Sequence, residues 1–464
     1  MTTALKAIWP LWQVAGLPVG ALAHLTLTGR EPVLPSSFAV GSAAQATLGA
    51  AALVAAEVGH KRNGLRQQVR VDMRRAAFEC LGRFSIDGRT PELWDKLAGL
   101  YRCGDGRWIR LHTNFVHHRD GVLRLLGLPT EAPTSREAVA AALSDRHAFE
   151  FDDAAAQAGL VVAAVRSFAE WNAHPHSAAV AELALVAIER IGGSPSLAWS
   201  ALPRDASPLH GLRVLDLTRI LAGPVGGRTL AAYGADVMLV CAPQLPNIGA
   251  IIETSRGKRS ALADLREPLG RDGLRAVLRD AHVFVQGYRP GALAALGFAA
   301  ADVAAVRPGI VMLSLSAYGE TGPWAGRRGF DSLVQSATGF NVAEAQAAGS
   351  PEPKALPMQI LDMATGFLIA FGAQAALLRQ QAEGGSWQVR VSLARTAQWL
   401  RELGTVEHGF DAPSVDFSGL METVPSGYGE LTAMRQAAEF SHTPALWLRP
   451  SVPPGTHPLA WPAG

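Results

Sequence analysis

The sequence predicts an α/β protein: a Rossmann-like parallel-sheet large domain with a smaller α/β domain. Three observations carry that prediction. Beyond residue 210, short apolar runs alternate with helix-length stretches, the pattern of parallel β-α-β units. A Gly-, Ser- and Pro-rich segment at 192–210 divides the chain. The residues before it read as helices around a hairpin, Leu100 to Leu111, turning at Gly104-Asp105-Gly106.

The elements follow in order. Two helical stretches flank Gly64, and Gln68 to Asp72 leads into a further helix. After the hairpin, helices are expected at 119–126, 135–144 and 151–158. Past the boundary, Arg213 to Thr218 is a short apolar strand and Pro224 to Tyr233 a helix. Strands are expected at Asp236 to Cys241, His282 to Gln286 and Ile310 to Ser316, with a helix at Arg271 to Arg279. The regions are thus 1–200, 208–405 and 406–464. The last is Pro-rich and weakly periodic, and is expected to run as an extended tail over the surface.

An internal echo links the halves. An Ala-rich helix, a Gly loop and QVRVDMRRAA (68–77) are matched by a second Ala-rich helix, Gly384-Gly385 and QVRVSLARTA (388–397). The first copy carries no aspartate corresponding to Asp362.

Bulk properties exclude several classes. The 464 residues suffice for two or three domains with substantial cores. A net charge of +2 gives no reason to expect nucleic acid, so any anion must be held by local clusters. Cys80, Cys103 and Cys241 are too far apart for a zinc motif or a disulfide framework, which fits a reducing cytoplasm. The apolar stretch from Phe38 to Val58 and the one after Asp362 read as buried helices, so no membrane role is expected. No secretory signal is expected either.

Asp362 is the only charged side chain between Lys354 and Arg379. Burying a carboxylate there is costly unless something pairs with it. It stands where a helix should begin, so it reads either as an N-cap or as a buried catalytic carboxylate. The strand-turn at 213–227 lacks G-x-G-x-x-G, and the second strand ends in Cys241-Ala242 with no acid for a ribose, which disfavours NAD. Arg256, Lys258 and Arg259, with Arg289 after a strand, are candidate phosphate-binding cations or a solvated surface cluster. His112, His117 and His118 lack the partners of a familiar metal spacing, so no metal is expected. No G-x-S-x-G element is present.

Five ordered blocks then carry a resemblance: 211–237, RGKRS (256–260), 283–298, 315–340 and LDMATGFLIAFGAQAALL (361–378). Together they resemble the first half of a class III CoA-transferase (CaiB/BaiF type), the group of formyl-CoA and carnitine CoA-transferases. Residues 68–77, the hairpin and 158–176 are similar to the family's second half, and 440–461 to its C-terminal ending. The halves stand in swapped order. Family members form interlocked dimers, so the resemblance implies a homodimer. It leaves open whether one chain or two complete the site.

The resemblance implies acyl-CoA and a small carboxylic acid as substrates, with Asp362 as the nucleophile that becomes an aspartyl-CoA thioester. It places Arg219, Ile220, Leu221 and Ala222 beside the pantetheine and active site. Lys258 matches a cofactor-contacting lysine. Gly287 and Tyr288, followed by Arg289, match the adenine-side loop, although asparagine is usual at Gly287. Tyr318 matches a tyrosine of the active-site region. Cys241-Ala242 and Ala295 replace charged positions of the family. Related racemases pair the aspartate with histidine in G-H-D; here the motif is Gly329-Phe330-Asp331, and phenylalanine cannot move a proton. That favours CoA transfer over racemisation unless another histidine reaches the site. A CoA-binding protein without turnover is the remaining alternative.

Overall fold

A computed structural model describes residues 2–462. Its main sheet has seven strands in the order Arg259–Leu262, Asp236–Cys241, Arg213–Leu217, Val283–Gln286, Val311–Ser316, Ser386–Ser392 and Ala187–Gly192. The first six are parallel. Counted along the chain their order is 3-2-1-4-5-6, that of a doubly wound nucleotide-binding sheet. These apolar runs are buried on both faces, as a parallel sheet requires. The seventh strand is antiparallel and comes from the segment before residue 200. The main sheet therefore crosses the boundary expected at 192–210.

Asp362 is carried by the helix Ile360–Glu383, which packs on the helix Ala222–Ala232. Small residues let the two backbones approach. A Cβ at Gly366 would lie 2.7 Å from the Ala222 carbonyl oxygen, and one at Gly226 would lie 2.5 Å from the Ile369 Cγ2. The contact fixes the first turn of one helix beside the first turn of the other. Helix Ile360–Glu383 is long and apolar enough to cross a membrane, yet it is buried inside the protein.

The sequence echo corresponds to a repeated arrangement. Helix Val40–Asn63 packs against Ile360–Glu383 and has the same 24-residue length. The Gln374 amide donates to the Ala51 carbonyl at 3.1 Å across that contact. After each helix come glycine, a strand and a short helix capped by the strand's last residue, Asp72 in one copy and Ser392 in the other. Ser42 occupies the third helical position in the first copy, where the second has Asp362.

A separate antiparallel sheet, Gly99–Arg102, Trp108–Leu111 and Val162–Ala164, contains the expected hairpin. Helices Val116–Leu126, Arg136–Leu143 and Ala148–Gln157 surround it. A buried cluster fastens this unit to the large one. Asp152 accepts from Arg166 at 3.3 Å and also pairs with Arg327.

Residues 406–464 are more than an extended tail. Met421–Ser426 pairs with Gly429–Met434, which pairs in turn with Phe84–Ile86, and Ala438–Phe440 pairs with Val69–Asp72. These strands are short, and one carries Pro425, which hides their periodicity in the sequence.

Candidate active site

In a sheet of this order, ligands bind beyond the carboxyl ends of the strands where the order reverses. That point lies between Arg213–Leu217 and Val283–Gln286. The loops leaving these strands are 218–221 and 287–290. The first is braced from below. Asp216 accepts from Lys258 Nζ at 2.8 Å and from the Thr218 N–H at 3.0 Å, and Lys258 also donates to the Pro224 carbonyl at 2.8 Å. Above this brace Ile220 is held at φ 77°. A β-branched residue in that region is strained and persists only where its surroundings over-determine it.

Asp362 lies in the first turn of its helix but does not cap it; Gln359 occupies the cap position and makes no side-chain cap bond. The Asp362 residue is 7% exposed. Burial, and then the nearby Asp331 carboxylate, push its pKa well above the ordinary range, while the Ala222 backbone N–H favours its charge. Asp331 is fully buried. It accepts from the Asp362 backbone N–H at 2.9 Å and from the Gln335 side chain at close range. Burial also raises the Asp331 pKa, but these donors and Arg110 work against the rise. Asp331 is therefore the better placed of the two to hold a charge, and Asp362 is the more reluctant to ionise.

Two cavities meet at Asp362 and share Ile220, Leu221 and Phe330 in their walls. The larger, about 330 Å³, is cationic: Arg219, Arg289, Arg327 and Arg328 line it, with Ala222, Gly287, Tyr288, His117 and His118. Arg327 is committed to Asp152. Among the described residues, Arg289 and Arg328 form no salt bridge. Burial and then the Arg289 charge lower the Arg328 pKa. An anion between these guanidiniums would relieve their repulsion. Burial and neighbouring charges push the His118 pKa down to about 3, so its imidazole is neutral at pH 7.

The second cavity, about 270 Å³, has Trp94, His112, Met358 and Met363 among its walls. His112 stacks on Phe330 with ring centroids 4.2 Å apart. Burial and then Arg110 hold its pKa down at about 4.

Seven of the expected contact residues, Arg219, Ile220, Leu221, Ala222, Gly287, Tyr288 and Arg289, thus line one cavity with Asp362. Two do not. Lys258 has a fully buried side chain spent on Asp216, so it braces the loop and faces no ligand space. Tyr318 is 1% exposed and packs on Trp324 at 5.2 Å. Nor is the Arg256 cluster a solvated or ligand-facing patch. Arg256 is buried against Glu253 at 3.5 Å and the Met434 carbonyl at 2.8 Å, and Arg259 bonds Asp236 at 3.1 Å.

Sequence reasoning missed Arg327, Arg328 and the positioning role of Asp331. It weighed the histidines only as metal ligands. His112 and His118 arrive from the small unit, so histidine does reach the site despite Phe330. The same unit brings Phe115 and Trp94 to the cavity walls.

CoA-transferase family III matches residues 6–193 and 209–403. An acetyl-coenzyme A transferase, nodX, of Hypoxylon pulicicidum is 31% identical over 333 residues, covering 67% of this chain and 55% of that protein. A succinate–glutarate CoA-transferase of Agrobacterium fabrum is 31% identical over 211 residues, covering 41% of this chain and 52% of that protein. The chain thus spans about half the length of these relatives. A crystal structure of a hypothetical protein (Rv3272) from Mycobacterium tuberculosis aligns with 31% identity and a TM-score of 0.39, covering 42% of this chain and 58% of that one.

Proposed function

The chain belongs to CoA-transferase family III, and from that premise we propose that it moves CoA between an acyl-CoA thioester and a free carboxylic acid, with Asp362 as nucleophile. The observation that carries the reading is the position of Asp362 at the seam of a cationic and a neutral cavity. The Asp362 carboxylate attacks the thioester carbonyl, the C–S bond breaks, and a mixed anhydride and CoA thiolate result. The thiolate attacks the aspartyl carbonyl, giving aspartyl-CoA and releasing the first carboxylate. The acceptor carboxylate repeats the sequence in reverse, and CoA leaves on the new acyl group. One thioester replaces another, so the chemistry is balanced without ATP. The Ala222 N–H at the start of its helix is the donor available to developing negative charge.

CoA itself is assigned to the cationic cavity, where Arg289 and Arg328 supply charge for phosphates. A homodimer and a reducing cytoplasm belong to the same proposal, as does the exchange of the two family halves along the chain.

His112 favours a second reading. Asp362 and a neutral imidazole in one cavity could exchange the α-proton of a 2-methylacyl-CoA. Mass spectrometry of protein incubated with acyl-CoA separates the readings. A CoA adduct on Asp362, lost in Asp362→Ala, supports transfer. Undiminished transferase activity in Asp362→Ala rejects it. Deuterium wash-in at the α-carbon without acyl exchange supports the second reading.

A further inference from the structure

We propose that the second cavity seats the acyl group, and that it selects an uncharged, largely apolar acyl chain, so that the acids exchanged are monocarboxylic. This rests on the CoA-transferase reading and adds a substrate class to it.

The two cavities differ in charge. Four arginines line the larger, whereas no lysine or arginine lines the smaller among the described residues. A thioester whose carbonyl reaches Asp362 at the seam therefore places its anionic CoA on one side and its acyl group on the other. Leu81, Phe84, Leu93, Trp94, Met358 and Met363 give the acyl side an apolar lining. Methionines adapt to chains of differing shape. Trp94 is 43% exposed and stands at the wall, open to solvent.

The ionisable groups of this cavity give no positive charge. Cys80 is a buried thiol whose pKa is pushed well up by burial. Glu253 is a carboxylate already held by Arg228 and Arg256, whose guanidiniums lie outside the lining. His112 is neutral, and its Nδ1 is buried without a hydrogen-bond partner. Asp362 is the reacting group, with Asp331 behind it. A second carboxylate on the substrate would enter among carboxylates with no cation in the lining to meet it, and an unpaired charge in such a site is strongly disfavoured. The open Nδ1 of His112 and the side chains of Asn114 and Gln359 can satisfy an uncharged polar group instead.

The test uses calorimetry on the full chain carrying Asp362→Asn, with Asp362→Ala as a second background, so that no turnover intervenes. The ligands are CoA, hexanoyl-CoA and adipyl-CoA, the last two matched in length and differing by one carboxylate. Hexanoyl-CoA should bind at least about 10-fold tighter than CoA, and adipyl-CoA about 100-fold weaker than hexanoyl-CoA. Gln359→Lys, which adds a cation to the wall, should narrow that gap at least about 10-fold. Adipyl-CoA binding as tightly as hexanoyl-CoA, or hexanoyl-CoA binding no tighter than CoA, overturns the inference alone. Failure of CoA itself to bind overturns the transferase reading, and this inference with it.

Discussion

The Asp331 carboxylate accepts a hydrogen bond from the backbone N–H of Asp362 at 2.9 Å, and its charge opposes ionisation of the Asp362 carboxylate. One residue thus orients the proposed nucleophile and holds its pKa up. The attack proposed for Asp362 requires the carboxylate form, so kcat/KM should rise with pH along a limb well above the usual carboxylate range. Asp331→Asn keeps an oxygen acceptor for the N–H and removes the charge. Its limb should move to lower pH. Asp331→Ala also loses the acceptor and should lower kcat by about 10- to 100-fold. A pH–rate profile unchanged in Asp331→Asn would show that the two carboxylates are not coupled.

The cations divide into two groups with opposite expected behaviour. Arg289 and Arg328 face the larger cavity without a carboxylate partner, so Arg289→Ala and Arg328→Ala should each raise KM for acyl-CoA by about 10-fold, with little change in melting temperature. The rise should shrink as salt is added, because exposed charges are screened. Lys258 is buried against Asp216 at 2.8 Å. Removing it in Lys258→Met strands a buried carboxylate, and stability should fall by about 3–5 kcal/mol. Urea denaturation read beside steady-state kinetics separates the two classes.

These contrasts mark what the sequence could show. Four of the six parallel strands, Arg213–Leu217, Asp236–Cys241, Val283–Gln286 and Val311–Ser316, were legible because strands buried on both faces are short apolar runs between turn residues. The burial of Asp362 was legible because a lone charge in an apolar helix has a cost that demands a reason. Lys258 was misread because its partner lies 42 residues away, and nothing local distinguishes a buried lysine in RGKRS from an exposed one. His112 needed the hairpin unit to fold back over the sheet before its ring could meet Phe330. Ala187–Gly192 was missed as a strand because half-exposed edge residues leave no apolar run.

Buried neutral histidines should make the fold acid-sensitive. His282 accepts from the Arg213 N–H at 3.0 Å through Nδ1, and burial with nearby arginines lowers its pKa from 6.5 to about 4. Between those values the unfolded chain holds a proton that the folded chain refuses. The stability His282 contributes is therefore present above pH 6.5 and lost as pH falls toward 4. Its share is at most ~3 kcal/mol. His282→Asn retains a neutral acceptor and should flatten the stability–pH slope in that window. An unchanged slope, measured by urea denaturation from pH 7 to 4, would count against this account.

Ile220 carries the last prediction, because its strain and its position bear on the same seam. Its φ of 77° costs about 1–3 kcal/mol for a β-branched residue, and its side chain stands in the walls of both cavities. Ile220→Ala discards the side chain but keeps the strain. Ile220→Gly discards both, at an entropic cost of about 0.5–1 kcal/mol in the unfolded chain. The glycine variant should therefore be the more stable of the two by about 1 kcal/mol, the reverse of the usual order. Both remove the partition between the two cavities, so both should lose kcat, about 10-fold or more, with a smaller change in KM. An alanine variant as stable as glycine would show that the loop relaxes once the isoleucine is gone. The strain would then come from the side chain wedged at the seam and not from the backbone brace of Asp216 and Lys258.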